Sequence, residues 1–209
     1  MDVTQRIRSV AELRRLYRQP SELTVNKERS TIDDASRQFI ERSRFAMIGT
    51  FDADGNPDVS PRGGPSGFIR VLDAQHVAIA DLGGNNRLDT LQNILATARA
   101  ALVIVVPGQS ETVRVNGEAW LATDPTVLSG FGLPRVPTSA IVIGVHTTYV
   151  HCAKAFHRGG LWDPEVWAEL AGTPDGAAIL SCQSVMNAPP EQVRTWMDAS
   201  YDDDLAAER

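Results

Sequence analysis

The hydrophobic pattern of the chain changes once, from helical spacing at the start to short apolar runs further on. Apolar positions over residues 1–18 recur at roughly helical spacing, which predicts an amphipathic helix that Pro20 ends. Thr31, with Asp34 three residues later, is typical of a second helix start. We therefore expect a helical extension over residues 1–34, ahead of the remaining chain.

Short apolar or alternating runs between residues 45 and 150 predict β-strands. These runs cover residues 45–51, 57–60, 68–72, 76–80, 101–106, 111–123 and 139–150. Gly and Pro crowd residues 61–67, which we expect to be irregular. Strands with only short helices between them indicate a closed or nearly closed β-barrel. We expect this domain to span residues 35–162 and a C-terminal helical segment to span residues 163–209.

Charge and composition restrict the possible partners. The net charge is −6, so the chain lacks the positive field that gathers nucleic acid, and any bound phosphate needs a local cluster of cations. The longest apolar stretches, residues 100–106 and 140–145, are too short to cross a bilayer, and no signal peptide precedes them. Two widely separated cysteines suit a reducing compartment. We expect a cytoplasmic protein that binds neither nucleic acid nor membrane.

The strongest candidate for a binding loop is residues 83–90, where a strand meets a helix. Two glycines permit close backbone approach, Asn85 or Asn86 could cap the helix, and Arg87 could add a charged fork. Together these features are typical of a phosphate site. The structural alternative is a flexible turn with an Asn cap and a surface Arg87 paired with Asp89.

Two further candidates lie on strands or at their ends. Arg62 leaves a strand within a loop of little side-chain bulk, so it could reach the same phosphate or could be a solvated arginine. Arg114 and Asn116 lie on the polar face of an alternating strand. They could line a barrel mouth and bind a heterocycle, or they could face water.

Residues 151–162 concentrate chemically versatile side chains, among them Cys152, Lys154 and Arg158. Adjacent residues on a strand point apart, which argues against a thiolate–imidazole pair at Cys152. The sequence has no CxxC or HExxH spacing, so no metal site is expected. Lys154 and Arg158 lie four residues apart and would share a helical face, which suits an anion or the dipole of their own helix.

Four short motifs occur in the order in which one family shows them. They are Ser60-Pro61-Arg62-Gly63, Gly84-Asn85-Asn86-Arg87-Leu88-Asp89, Val113-Arg114-Val115-Asn116-Gly117 and His151-Cys152-Ala153-Lys154-Ala155. Residues 44–123 resemble the FMN-binding split barrel of pyridoxamine 5'-phosphate oxidase-like proteins. The chain looks most similar to an uncharacterised bacterial branch of FMN-dependent enzymes, and at that level the resemblance extends to Trp162.

The resemblance implies a six-stranded split β-barrel, a homodimer, and FMN sites at the dimer interface. It implies that Arg62, Asn86 and Arg87 hold the phosphate, and that Gly63 and Asn85 belong to the same two loops. It further implies that the isoalloxazine or ribityl chain lies near Asp81, Arg114 and Asn116, and that the partner subunit contributes Lys154, Arg158 and Trp162.

Two departures from the family pattern concern the substrate. Pyridoxamine 5'-phosphate oxidases carry a Lys where this chain has Leu88, and they end in an Arg-Leu-x-Pro motif where this chain has Asp202-Asp203-Asp204. We therefore expect a flavin-dependent oxidoreductase whose small-molecule substrate is not vitamin B6 phosphate. No catalytic residue is indicated.

Other interpretations of the same barrel stay open. The deazaflavin F420 or haem could replace FMN, and His151 or His157 could then be tried as the axial ligand of haem. The protein could also be a non-enzymatic flavin reservoir, a sensor or a stress-related binding protein, since a fold does not determine a function.

Overall fold

The computed structural model describes residues 5–184 and 187–207, which form one β-sheet flanked by short helices. The strands are β1 (Phe45–Phe51), β2 (Pro57–Gly63), β3 (Ile69–Asp73), β4 (His76–Ala80), β5 (Arg99–Val105), β6 (Thr112–Ala122) and β7 (Ala140–His151). The helices are α1 (Val10–Leu16), α2 (Glu22–Asn26), α3 (Asp34–Arg42), α4 (Asp89–Thr97), α5 (Pro125–Ser129), α6 (Lys154–Arg158), α7 (Pro164–Glu169), α8 (Gly176–Gln183) and α9 (Pro190–Ala207). The expected class, mainly β with flanking helices, is confirmed.

All seven strands join a single antiparallel sheet in the order β2-β1-β5-β6-β7-β4-β3. Each strand corresponds to one of the apolar runs in the sequence. The six-strand count implied by the family resemblance is not confirmed, because seven strands pair here.

One face of the sheet forms the main core. Alternate residues of the strands point inward, such as Ala46 and Ile48 on β1, Leu102 on β5 and Val115 on β6, and all four are fully buried. Helices α3 and α4 add Ile40 and Ile94 to the same cluster. The apolar runs of the sequence are therefore explained by burial of this face.

The two ends of the sheet approach each other through side chains and so enclose the core, although the edge strands β2 and β3 are not hydrogen-bonded neighbours. Arg62 on β2, an edge strand, approaches Asp81, which directly follows β4 near the opposite edge, with 3.5 Å between Nη1 and Oδ1. Directly after β2, Gly64 packs beside Phe68 and Leu82, where a Cβ would lie 2.8 Å from Phe68 and 2.9 Å from Leu82. This contact line between the sheet ends is called the seam below.

The expectation that residues 61–67 are irregular is wrong for its first part, because β2 continues through Pro61 to Gly63. Proline lacks an N–H and is tolerated where a strand has no partner on that side. Strand β2 is such an edge strand, since only β1 pairs with it. Arg62 therefore lies on a strand, in register with Ala46.

The N-terminal extension is less helical than the sequence pattern predicts. Helix α1 covers only Val10–Leu16 and buries no residue, and residues 1–4 lie outside the described part of the chain. Helix α3 is capped by Asp33, whose carboxylate accepts from Ser36 N, and not by Thr31. Arg29 pairs through its backbone with Thr148 on β7, which attaches the extension to the sheet.

The C-terminal segment is helical as expected, although residues 185–186 and 208–209 lie outside the described residues. Helices α8 and α9 pack on each other through Ala177 and Val193. Across the described ranges, no helix combines the length and the apolar character that crossing a bilayer requires.

Gly64→Ala tests the seam. The added methyl overlaps Phe68, which is fully buried and cannot move aside, so we expect the free energy of unfolding to fall by about 1–3 kcal/mol. Gly49→Ala on β1 is the control, since its Cβ meets only ordinary contacts at 3.9 Å and beyond. Chemical denaturation measures both variants, and equal stability of the two would contradict a tightly packed seam.

Candidate functional site

A cleft of 510 Å³ opens along the seam, between the inner face of β2 and the segment that joins β4 to α4. Asp58, Ser60 and Arg62 alternate along β2, in register with inward residues of β1. Residues 81–91 form the opposite wall, and Thr138 and Ser139 close one end at the start of β7. The cleft therefore brings Arg62, Asp81, Asn85, Asn86 and Arg87 of the predicted set together.

The loop that precedes α4 does not use an asparagine cap, contrary to the expectation for Asn85 or Asn86. Leu88 occupies the N-cap position with φ 61°, and no side chain caps the first turn. Asn85 Oδ1 accepts from Arg87 N instead, at 3.1 Å. A left-handed conformation costs a bulky residue such as Leu88 about 1 kcal/mol or more, and such strain often marks a functional loop. The uncapped N-terminus of α4 thus lines the cleft and can accept an anion.

Arg62 and Asp81 form the polar centre of the seam. Their side chains are 22% and 20% exposed, and the Arg62 Nε is buried without any hydrogen-bond partner. Burial raises the pKa of the Asp81 carboxyl, while Arg62 and a hydrogen bond from Ser139 oppose that rise. Arg62 therefore keeps one donor unused within a site that is largely shielded from water.

Arg87 lies at the rim of the cleft and pairs with Asp89, with Nε 2.8 Å from Oδ2. A hydrogen bond with Asp89 and its charge raise the pKa of Arg87. The guanidinium is 73% exposed, so this local pair contributes little to stability. The pairing of Arg87 with Asp89, one of the two alternatives that the sequence offers, is thus observed. It leaves the other N–H donors of the guanidinium open to the cleft.

Arg114 and Asn116 are not part of this cleft. They lie on the outer face of β6, opposite to the inward Val113 and Val115. Asn116 donates to Thr147 Oγ1 at 3.0 Å, and Arg114 lies over the Tyr149 ring at 5.4 Å. Within one chain, the structure therefore separates them from Arg62 and Arg87.

Lys154, Arg158 and Trp162 are also absent from the cleft lining. They follow the end of β7, whereas Ser139, which lines the cleft, precedes its start. The strand has 12 residues, so its ends are about 35 Å apart if it is extended. Trp162 packs on Phe156 and donates from Nε1 to Gln109 O, which fixes it against the loop between β5 and β6.

The sequence analysis missed polar groups that share the cleft with the predicted residues. Asp58 and Ser60 point inward beside Arg62, and the alternating polar pattern of residues 58, 60 and 62 could have revealed them. A smaller cavity of 210 Å³ adjoins the cleft and shares Asp81, Leu82, Gly83 and Thr138 with it. Asp81 therefore lines both the cleft and the smaller cavity.

Arg62→Met tests the electrostatics of this pair. The variant leaves the ionised Asp81 buried without its cation, so its pKa rises further and the loss of stability grows as pH rises above the ordinary aspartate range. We expect a loss of about 1–3 kcal/mol at neutral pH and a smaller loss near about pH 4, where less of the Asp81 carboxyl is ionised than at neutral pH. Chemical denaturation at both pH values measures this loss in the free energy of unfolding. Substitution of the exposed Arg42, Arg42→Met, is the control. The same loss at both pH values would show that only packing had changed.

The chain has relatives at the level of family and of fold. The pyridoxamine 5'-phosphate oxidase family model matches residues 32–151, which is more than half of the chain. HupZ from Group A Streptococcus is 20% identical with a TM-score of 0.47, over 57% of this chain and 93% of its own. General Stress Protein 26 from Bacillus anthracis is 17% identical with a TM-score of 0.42, over 54% and 88%.

A pyridoxamine 5'-phosphate oxidase-related, FMN-binding protein from Nostoc punctiforme is 12% identical with a TM-score of 0.36, over 54% of this chain and 75% of its own. No curated protein matches the chain in sequence. The family match covers three of the four motifs completely and the first residue of the fourth. The chain therefore belongs to the pyridoxamine 5'-phosphate oxidase family.

Proposed function

We propose that this protein binds FMN as a homodimer with the cofactor sites at the subunit interface, and that it is a flavin-dependent oxidoreductase acting on a small molecule. Family membership supports a split barrel with a flavin site. The cleft along the seam offers the volume, the cations and the uncapped helix that the phosphate end of such a cofactor needs.

The observation that carries this proposal is the buried Arg62 Nε without a partner. An unsatisfied buried guanidinium donor is costly, and a phosphate oxygen in the cleft would satisfy it. These hydrogen-bond donors fit a phosphate group, because Arg62, the N-terminus of α4 and Arg87 surround one space. Asn85 and Asn86 add amides to the same wall.

The chain's own residues would bind and orient the cofactor, and flavin supplies the redox chemistry when bound. Arg62 and the first turn of α4 would hold the phosphate, while Ser60 and Asp58 offer hydrogen-bonding groups along β2. Asp81 has a raised pKa, so its carboxyl can hold a proton more readily than an exposed aspartate. Because Asp81 also lines the smaller cavity, a substrate there would lie beside this carboxyl.

The homodimer is supported by the separation of the two groups of cations. Arg62 and Arg87 line the cleft, whereas Lys154, Arg158 and Trp162 follow the far end of β7. Because the family resemblance assigns both groups to one cofactor site, a second subunit would bring the latter group to the former. The outer face of the sheet also exposes Phe51, Val59 and Trp120 at 41%, 61% and 41%, an apolar surface that an interface would cover.

A reducing, cytoplasmic location is part of the same proposal. Cys152 and Cys182 are both free thiols in the structure. A structural disulfide would favour an oxidising compartment, and these two cysteines form none.

Arg87→Ala tests the cleft as the flavin site. Loss of a charge-assisted contact to phosphate should weaken FMN binding about tenfold or more. Quenching of FMN fluorescence during titration measures the affinity, and Arg42→Ala removes an exposed cation elsewhere as the control. Unchanged affinity in Arg87→Ala would contradict the cleft as the phosphate site. A Soret band in the visible spectrum would identify the cofactor as haem. Selective binding of F420 would identify it as F420.

Mixing two defective variants tests the shared site. Arg87→Ala and Arg158→Ala homodimers should each bind FMN weakly, since each lacks one half of every site. After the subunits are exchanged, a mixed dimer regains one site with both halves intact, so we expect tight binding to return in part. A mixture that binds no better than its components would contradict a site formed by two subunits.

A further inference from the structure

A group of cations surrounds Tyr149 on the outer face of the sheet, away from the cleft. Lys27 Nζ lies 5.1 Å from the centroid of the Tyr149 ring, and Arg114 Cζ lies 5.4 Å from it. Arg114 and Tyr149 are register partners on β6 and β7, and His151 follows two residues later on the same face. Lys27, Arg114, Tyr149 and His151 are called the outer cluster below.

The N-terminal extension supplies Lys27 to this cluster. Strand β4 pairs with β7 as far as Gly144, and Val145 N then donates to Gln75 O at 2.7 Å. Beyond Val145, the edge of β7 is no longer paired with β4. Arg29 fills this edge by exchanging two backbone hydrogen bonds with Thr148, at 3.0 and 2.8 Å. Lys27 Nζ then donates to Val150 O at 2.8 Å, which holds its charge over the ring. The position of Lys27 is therefore built by specific contacts.

Among the described residues, no salt bridge balances the positive charge of the outer cluster. Arg114 Nε is buried without a hydrogen-bond partner, and across residues 5–184 and 187–207 neither Lys27 nor Arg114 forms a salt bridge. Burial, followed by the charges of Arg114 and Lys27, lowers the pKa of His151. The next charged side chains along the chain, Lys154 and Arg158, are also cations. In a chain with a net charge of −6, this concentration is local.

Two cations held against one ring repel each other, and an unsatisfied buried guanidinium donor adds to the cost. An oxyanion beside Arg114 would accept from Nε and balance the charge of the guanidinium, and it would also weaken the repulsion between Arg114 and Lys27. The π-face of Tyr149 attracts the cations but does not neutralise them. The arrangement is therefore complementary to a small anion.

We propose that Lys27 and Arg114, held across Tyr149, form a second anion-binding site, distinct from the cleft, that takes the phosphate or carboxylate group of a small molecule. The two cations, Lys27 and Arg114, match the charge of a phosphate dianion better than that of a carboxylate. None of its residues lines the cleft of the same chain, although the family resemblance places Arg114 near the flavin, so the site is tested on protein without flavin.

Nuclear magnetic resonance of the histidine rings in the full-length protein tests the site. Inorganic phosphate and acetate are titrated separately at constant ionic strength, with chloride as the balancing anion. We expect a saturable shift of the His151 ring signals, tighter for phosphate than for acetate, and a higher pKa of His151 when phosphate is bound. Arg114→Met and Lys27→Met should each weaken phosphate binding about tenfold.

Matched variants separate this site from general effects of charge. Arg42→Met removes an exposed cation at the end of α3 and should leave phosphate binding unchanged, while Lys27→Arg should retain it. Thermal unfolding verifies that every variant is folded. A linear, unsaturable response of His151, an equal loss in Arg42→Met, or phosphate shifts confined to residues of the cleft would each overturn the proposal. Because no flavin is added, failure to bind FMN would leave this result unaffected.

Discussion

Closure of the sheet at the seam is the constraint on which the rest of the structure depends. The inward faces of the strands share one core, and the two ends of the sheet approach each other where Arg62 on β2 lies near Asp81, directly after β4. Gly64 permits that approach, and Arg62 and Asp81 form an ion pair across it. The same closure places the polar inner face of β2 opposite the loop before α4, so the cleft results directly from how the core is completed.

Local patterns predicted most of the elements. The apolar runs at β1 and β4 coincide with the observed strands, and the Gly-Asn turn before α4 was correctly assigned to a strand-to-helix connection. The errors have physical causes. The Gly and Pro content around Pro61 predicts irregular backbone, although an edge strand tolerates proline. The sequence offers Asn85 or Asn86 as a possible cap of α4, although Leu88 occupies that position.

The candidate site was less predictable because its contacts are distant in sequence. Arg62 and Asp81 are separated by 19 positions and meet only after the sheet closes. Lys27 and Val150 are separated by 123 positions, and no local pattern marks Lys27 as part of a site. The residue types thus indicate which side chains could bind an anion. The topology of the sheet decides that these side chains lie in two places within one chain, the cleft and the outer cluster.

The backbone pairing of Arg29 with Thr148 has a consequence for how the protein avoids aggregation. An open strand edge offers unpaired N–H and C=O groups to any extended chain, and natural proteins usually cover or interrupt such edges. Beyond Val145, the edge of β7 is covered by the segment around Arg29. We expect that a shortened protein lacking its first thirty or so residues would present this edge to neighbouring molecules, so the N-terminal extension acts as a guard against intermolecular strand addition.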